Sequence, residues 1–92
     1  MTPERAETIA LQALGWLASD DDLCGTFLGA TGASFDDLRQ RATESAFLAS
    51  VLGFLTTNDD WIIRFCDSVG LGYDQPLRAV HALPGAEQVE WT

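Results

Sequence analysis

The stretch "LGWLASDDDLCGTFLGATGASFD" spans residues 14–36, and "LGFLTTNDDWIIRFCDSVGLGYD" spans residues 52–74. The two align without a gap at a constant offset of 38 (52 − 14). Leu14, Gly15, Leu17, Asp21, Asp22, Phe27, Gly32 and Asp36 recur as Leu52, Gly53, Leu55, Asp59, Asp60, Phe65, Gly70 and Asp74. Trp16 faces Phe54, Ser19 faces Thr57, Asp20 faces Asn58, and Phe35 faces Tyr73. Eight identities in 23 positions, with turns and apolar positions in step, mark an internal duplication. Two copies are too few for a solenoid. The expected fold is all-α, with six short helices arranged as two tandem three-helix repeats packed with pseudo-two-fold symmetry. Repeat one covers about 3–42 and repeat two about 43–83, inside a single domain over residues 1–85. Residues 86–92 read as a disordered tail.

The duplication explains the run of acids in "ASDDDL". "SDDD" in the first copy becomes "TNDD" in the second, each time at the start of an apolar helix. Short polar side chains with acceptors suit a helix N-terminus, and negative charge suits the positive end of its dipole. Ser19 with Asp22, and Thr57 with Asp60, have the spacing of a capping box, as do Ser34 and Asp37. Gly32 and Gly70 are the expected C-terminal stops, where glycine takes a left-handed conformation without a Cβ penalty. A calcium loop needs alternating oxygen ligands, a glycine sixth and a bidentate acid twelfth. From Asp20, Gly25 fits but Cys24 and Thr31 do not; from Asn58, Ile62 and Ile63 exclude it. No metal and no cofactor is expected.

The helices follow from periodicity. Thr2 caps the first and Pro3 starts it, with Ala6, Ile9, Ala10, Ala13, Leu14 and Leu17 on one stripe. Leu23, Phe27 and Ala30 form the expected buried stripe of the second. The fourth is the most apolar, with Phe47, Leu48, Val51, Leu52, Phe54 and Leu55. Trp61, Ile62, Phe65, Cys66 and Val69 face inward from the fifth, and Pro76 starts the sixth. Glycine within a helix costs about 1 kcal/mol relative to alanine. Its recurrence at Gly15 and Gly53 reads either as a close approach of another backbone or as incomplete optimisation.

Composition narrows the function classes. The chain of 92 residues carries 14 acids against five arginines and no lysine, a formal charge of −9. Such a field repels phosphate backbones and anionic lipid, so neither nucleic acid nor membrane is an expected partner. No apolar run reaches the roughly 18 residues of a membrane span, and the N-terminal "MTPERAETIA" lacks signal-peptide character. Cys24 and Cys66 fall in apolar helical stretches, where free cysteine behaves as a small hydrophobe. A cytoplasmic setting with reduced thiols is expected.

Catalytic constellations are weak. Residues 28–42 have the local pattern of a helix-turn-helix, but the would-be recognition helix opens with Phe35, Asp36 and Asp37, which phosphates would repel. Nucleophilic catalysis would need Cys24 or Cys66 paired with the single histidine, His81. The paired carboxylates all sit side by side at helix starts rather than converging on a cavity. A surface for a protein partner is the favoured functional feature. Leu11 falls opposite the buried stripe of its helix, Trp61 opens the fifth helix, and Trp91 sits in the tail. Trp16, Phe54 and Trp61 also read as core. The expectation is a non-enzymatic interaction or accessory module with an unknown, possibly basic, protein partner, or a homodimer. The alternative is an acidic inhibitor or mimic that occupies a basic nucleic-acid-binding surface.

"ALQALGWLASDDDLCGTFLGATG", then "VLGFLTTNDDWIIRFCDSVGL", then "ALPG", resembles a small bacterial family found mainly in alphaproteobacteria, domain of unknown function family 3572. The resemblance covers roughly residues 4–85. Its most distinctive parts are Val51-Leu52, Phe54-Leu55, Asp59-Asp60, Phe65-Cys66, Gly70 and Leu83-Pro84-Gly85. These are core and cap residues, so the resemblance implies a fold and brings no activity, cofactor or catalytic residue. Where many relatives carry an acid in "VLDFLL", this chain has Gly53.

Overall fold

The structure, a computed structural model, describes residues 1–83. Those residues form six α-helices and no strand: α1 (Pro3–Ala18), α2 (Asp21–Thr31), α3 (Phe35–Gln40), α4 (Ser45–Leu55), α5 (Asp59–Val69) and α6 (Gln75–Ala82). Trp91 and the expected tail over 86–92 lie outside the described residues.

Local sequence accounts for each boundary. Thr2 Oγ1 accepts from the Arg5 N–H at 3.2 Å, and Pro3 follows it where its missing N–H removes no bond. Ser34 and Asp37 form a reciprocal capping box, with the Asp37 N–H on Ser34 Oγ at 3.3 Å and the Ser34 N–H on Asp37 Oδ2 at 2.9 Å. Gly32 and Gly70 end α2 and α5 at φ 74° and 72°.

Two caps lie one residue later than the capping-box spacing predicts. Asp20 is the N-cap of α2, accepting from the Leu23 N–H at 3.1 Å. Asn58 is the N-cap of α5, accepting from the N–H groups of Asp60 and Trp61 at 2.9 and 3.3 Å. Ser19 has helical dihedrals and closes α1, whereas an N-cap needs an extended backbone. The hydroxyls of Ser19 and Thr57 donate back to the carbonyls of Trp16 and Phe54. Asp22 and Asp60 therefore sit in the first turns of their helices, contributing charge there rather than closing a box.

Helix α4 is sheathed on nearly all sides, with Phe47, Leu48, Ala49, Val51, Leu52, Gly53, Phe54 and Leu55 buried. A helix apolar all round belongs in a core. Against it lie α1, through its predicted stripe, and α6, which buries Pro76 and Ala79. The second helix departs from expectation in one place. Ala30 is exposed, and Cys24 is fully buried beside Leu23 and Phe27.

The two aligned segments correspond in part of the local structure. Helices α2 and α5 have bounds offset by the same 38 residues (59 − 21 and 69 − 31), each preceded by an Asp or Asn cap and closed by a left-handed glycine. Across the repeats, Trp16 lies edge-on to Phe65 at 5.9 Å, and its counterpart Phe54 lies edge-on to Phe27 at 5.3 Å. The third helices break the correspondence. Helix α6 packs against both α1 and α4, while α3 makes no comparable contact with either. The six helices do not show the expected pseudo-two-fold packing as a whole. The third helices also differ in sequence: Ser34, which caps α3, is replaced by Gly72, and α6 starts two residues later than α3 on the shared register (75 − 38 = 37 against 35).

Gly15 and Gly53 also part company. Gly15 is exposed, and a Cβ built on it would meet nothing within 4 Å, so no backbone approaches it. Gly53 is buried.

Candidate functional site

The apolar side chains that the fold leaves outside fall off the buried stripes. On α5 the inward positions are Trp61, Ile62, Phe65 and Cys66, and Ile63 lies off that stripe at 41% exposure. On α6 the inward positions are Pro76, Ala79 and Val80, which leaves Leu77 at 53%. Between the two helices, Tyr73 is 55% exposed.

Ile63 lies on α5, Tyr73 in the α5–α6 turn and Leu77 on α6. Ile63 and Asp67 are four apart on α5 and share a face. Tyr73 Oη donates to Asp67 Oδ1 at 2.8 Å. The turn leads into α6 through the Gln75 N–H on Gly72 O at 3.1 Å and the Arg78 N–H on Asp74 O at 3.2 Å. Asp74 and Arg78 form an exposed ion pair at 3.5 Å. An open notch of about 170 Å³ is lined by Asp67, Leu71, Gly72 and Tyr73. Its floor is tied to the core, because the Cys66 thiol donates to Gly72 O at 3.5 Å. The hydrogen bond to Asp67, and then its charge, raise the Tyr73 phenol above its ordinary pKa.

The three residues expected at a partner surface fare differently. Leu11 is exposed on α1. Trp61 is half-buried, its ring stacked on Phe54 at 4.8 Å between centroids, so most of its face is already used within the fold. Trp91 lies outside the described residues. The sequence reading missed Ile63, Tyr73, Leu77 and also Phe35, which is 63% exposed. One signal was present: Phe35 and Tyr73 occupy matching places in the repeat, each three residues beyond its stop glycine, where the chain has left the core.

No nucleophile–base pair is assembled among the described residues. Cys24 and Cys66 are fully buried and unpaired, while His81 is exposed, lining an open hollow of about 340 Å³ with Met1, Arg78 and Ala82. Burial raises both thiols, helped by the charge of Asp21 at Cys24 and by Asp67 and Asp74 at Cys66. A raised thiol is protonated at neutral pH and is a poor nucleophile. Among the described residues no group of three or more His, Cys, Asp and Glu side chains is placed to hold a metal ion. No described helix is long and apolar enough to cross a membrane.

Comparison with known proteins gives a family. Residues 3–86 match the family model described as "Protein of unknown function (DUF3572)", and the chain belongs to that family. Neither a curated protein nor a solved structure matches the chain.

Proposed function

We propose that this protein is a non-enzymatic interaction module that docks another protein through the exposed face of α5 and α6. The observation that carries this reading is the exposure of Ile63 on α5, Tyr73 in the following turn and Leu77 on α6, with Tyr73 lining an open notch. Single exposed apolar residues are ordinary on any surface, but aromatic and aliphatic side chains grouped around a notch are what interfaces use as anchors. The raised, protonated thiols support a non-enzymatic role. Two free cysteines support a cytoplasmic, reducing setting.

An acidic mimic of nucleic acid is the second reading. It is favoured by the exposed acids at three helix starts, Asp21 and Asp22, Asp36, and Asp59 and Asp60. Recovery of native complexes from the host, with and without nuclease, tests both. A stoichiometric protein partner that survives nuclease and moderate salt is the expected result. A partner lost steeply with salt selects the mimic, because counterion-dominated contacts weaken with ionic strength and apolar ones do not. Recovery of the protein alone refutes the module.

A further inference from the structure

We propose, resting on the interaction-module reading, that the α5–α6 face receives a basic segment of a protein partner, with one arginine of that segment seated between the Tyr73 ring and the Asp67 carboxylate. Three features of the notch select that occupant. The Tyr73–Asp67 hydrogen bond uses Oδ1 and fixes the carboxylate beside the ring, while Oδ2 carries no bond among the described residues. A guanidinium is planar, so it can donate to Oδ2 and lie against the aromatic face at the same time. Half-buried Leu71 gives the arginine methylenes an apolar wall. At about 170 Å³ the notch is smaller than the roughly 300–1,000 Å³ of small-molecule sites and suits a single side chain.

Charge chooses between possible partners. Asp67 lines the notch, the nearby Arg78 is already held by Asp74, and the whole chain carries −9. A second copy of this chain would bring another −9 to the contact, and nucleic acid would bring phosphates. A basic protein segment is the occupant that lowers this field.

Selection of a phage-displayed random peptide library on the full chain, followed by fluorescence anisotropy of the enriched peptides, tests the proposal. The expected consensus joins at least one arginine to apolar residues. Asp67→Asn and Tyr73→Ala each weaken binding about tenfold at low salt, while Tyr73→Phe, which keeps the ring, weakens it less. Asp36→Asn removes the same unit charge from α3 and serves as the control for non-specific attraction, with less than about a twofold effect expected. All three positions are exposed, and circular dichroism confirms that each variant is folded. Enriched peptides without arginine or lysine overturn the proposal, as do equal losses at Asp36 and Asp67. Failure to enrich any peptide also overturns it, yet leaves the module reading to stand or fall on the native complex.

Discussion

Gly15 and Gly32 should respond to alanine with opposite signs, and the pair isolates backbone conformation from packing. A Cβ built on either meets nothing within 4 Å, so neither substitution creates a clash. Gly15 lies inside α1 with ordinary helical backbone and is exposed. Replacing glycine there restricts the unfolded chain and gains about 1 kcal/mol. Gly32 ends α2 at φ 74°, where a Cβ crowds its own carbonyl and costs about 1–2 kcal/mol. The entropy gain offsets part of that, leaving a loss of about 1 kcal/mol. With about 2.1 cal/mol/K per residue, a 92-residue chain has an unfolding entropy of roughly 0.19 kcal/mol/K. Gly15→Ala should therefore raise Tm by about 5 °C, and Gly32→Ala should lower it by about 5 °C. Calorimetry on the two single variants and the double variant is the assay, and the double should return close to wild type because the sites are on different helices. A fall in Tm for Gly15→Ala would refute the reasoning, since it would mean that another backbone does approach α1 at that turn.

Three further outcomes follow from the same structure. Asp20→Ala and Asn58→Ala should each cost about 1 kcal/mol in urea unfolding, while Ser19→Ala and Thr57→Ala cost clearly less; equal losses at Ser19 and Asp20 would restore the earlier cap. The folded state holds both thiols above their ordinary pKa, so the unfolded chain ionises first as pH rises. Stability should be flat in this respect below about pH 8.5 and decline above it, and a Cys24→Ala/Cys66→Ala variant should show a shallower alkaline slope; an unchanged slope counts against burial of the thiols. Phe27 packs edge-on to Phe47 and Phe54 with no exposure, so Phe27→Ala should cost about 3–5 kcal/mol. Phe35→Ala should stay within about 0.5 kcal/mol, because that ring already faces water.

The legible part of this fold was the part governed by local rules. The offset of 38 and the stop glycines placed the ends of α2 and α5 at Gly32 and Gly70, because such stops act within one turn of the atoms they satisfy, while their starts fell one residue later than the capping-box spacing. Asp20 escaped the reading for a local reason too: capping-box spacing cannot tell whether the preceding helix has ended, and α1 runs one residue further than the box requires. The packing of α6 was beyond such rules. Helix α6 lies against α1 and α4, where α3 makes no comparable contact. Ser34 caps α3, which runs six residues. Gly72 delays α6, which then runs eight residues and closes on Leu83, itself buried.

The same delay builds the candidate site. Because α6 does not begin until Gln75, the chain from Leu71 to Asp74 turns back over the end of α5, and the Tyr73 hydroxyl meets Asp67. In the first repeat the position of Tyr73 is held by Phe35, already the first residue of α3 and without a hydroxyl to tie it down. Residue 29, the counterpart of Asp67 at offset 38, is a glycine, so no carboxylate is available there either. Both segments thus carry an exposed aromatic at the matching position, and only the second pairs it with a hydrogen-bonded acid. Periodicity alone could not show this, because it scores Ile63, Tyr73 and Leu77 only by their distance from the buried stripe. Comparing the copies position by position does show it. At offset 38 the exposed positions 25, 26, 29, 30 and 35 all differ from 63, 64, 67, 68 and 73, and of these Asp67 and Tyr73 are the two joined by a hydrogen bond.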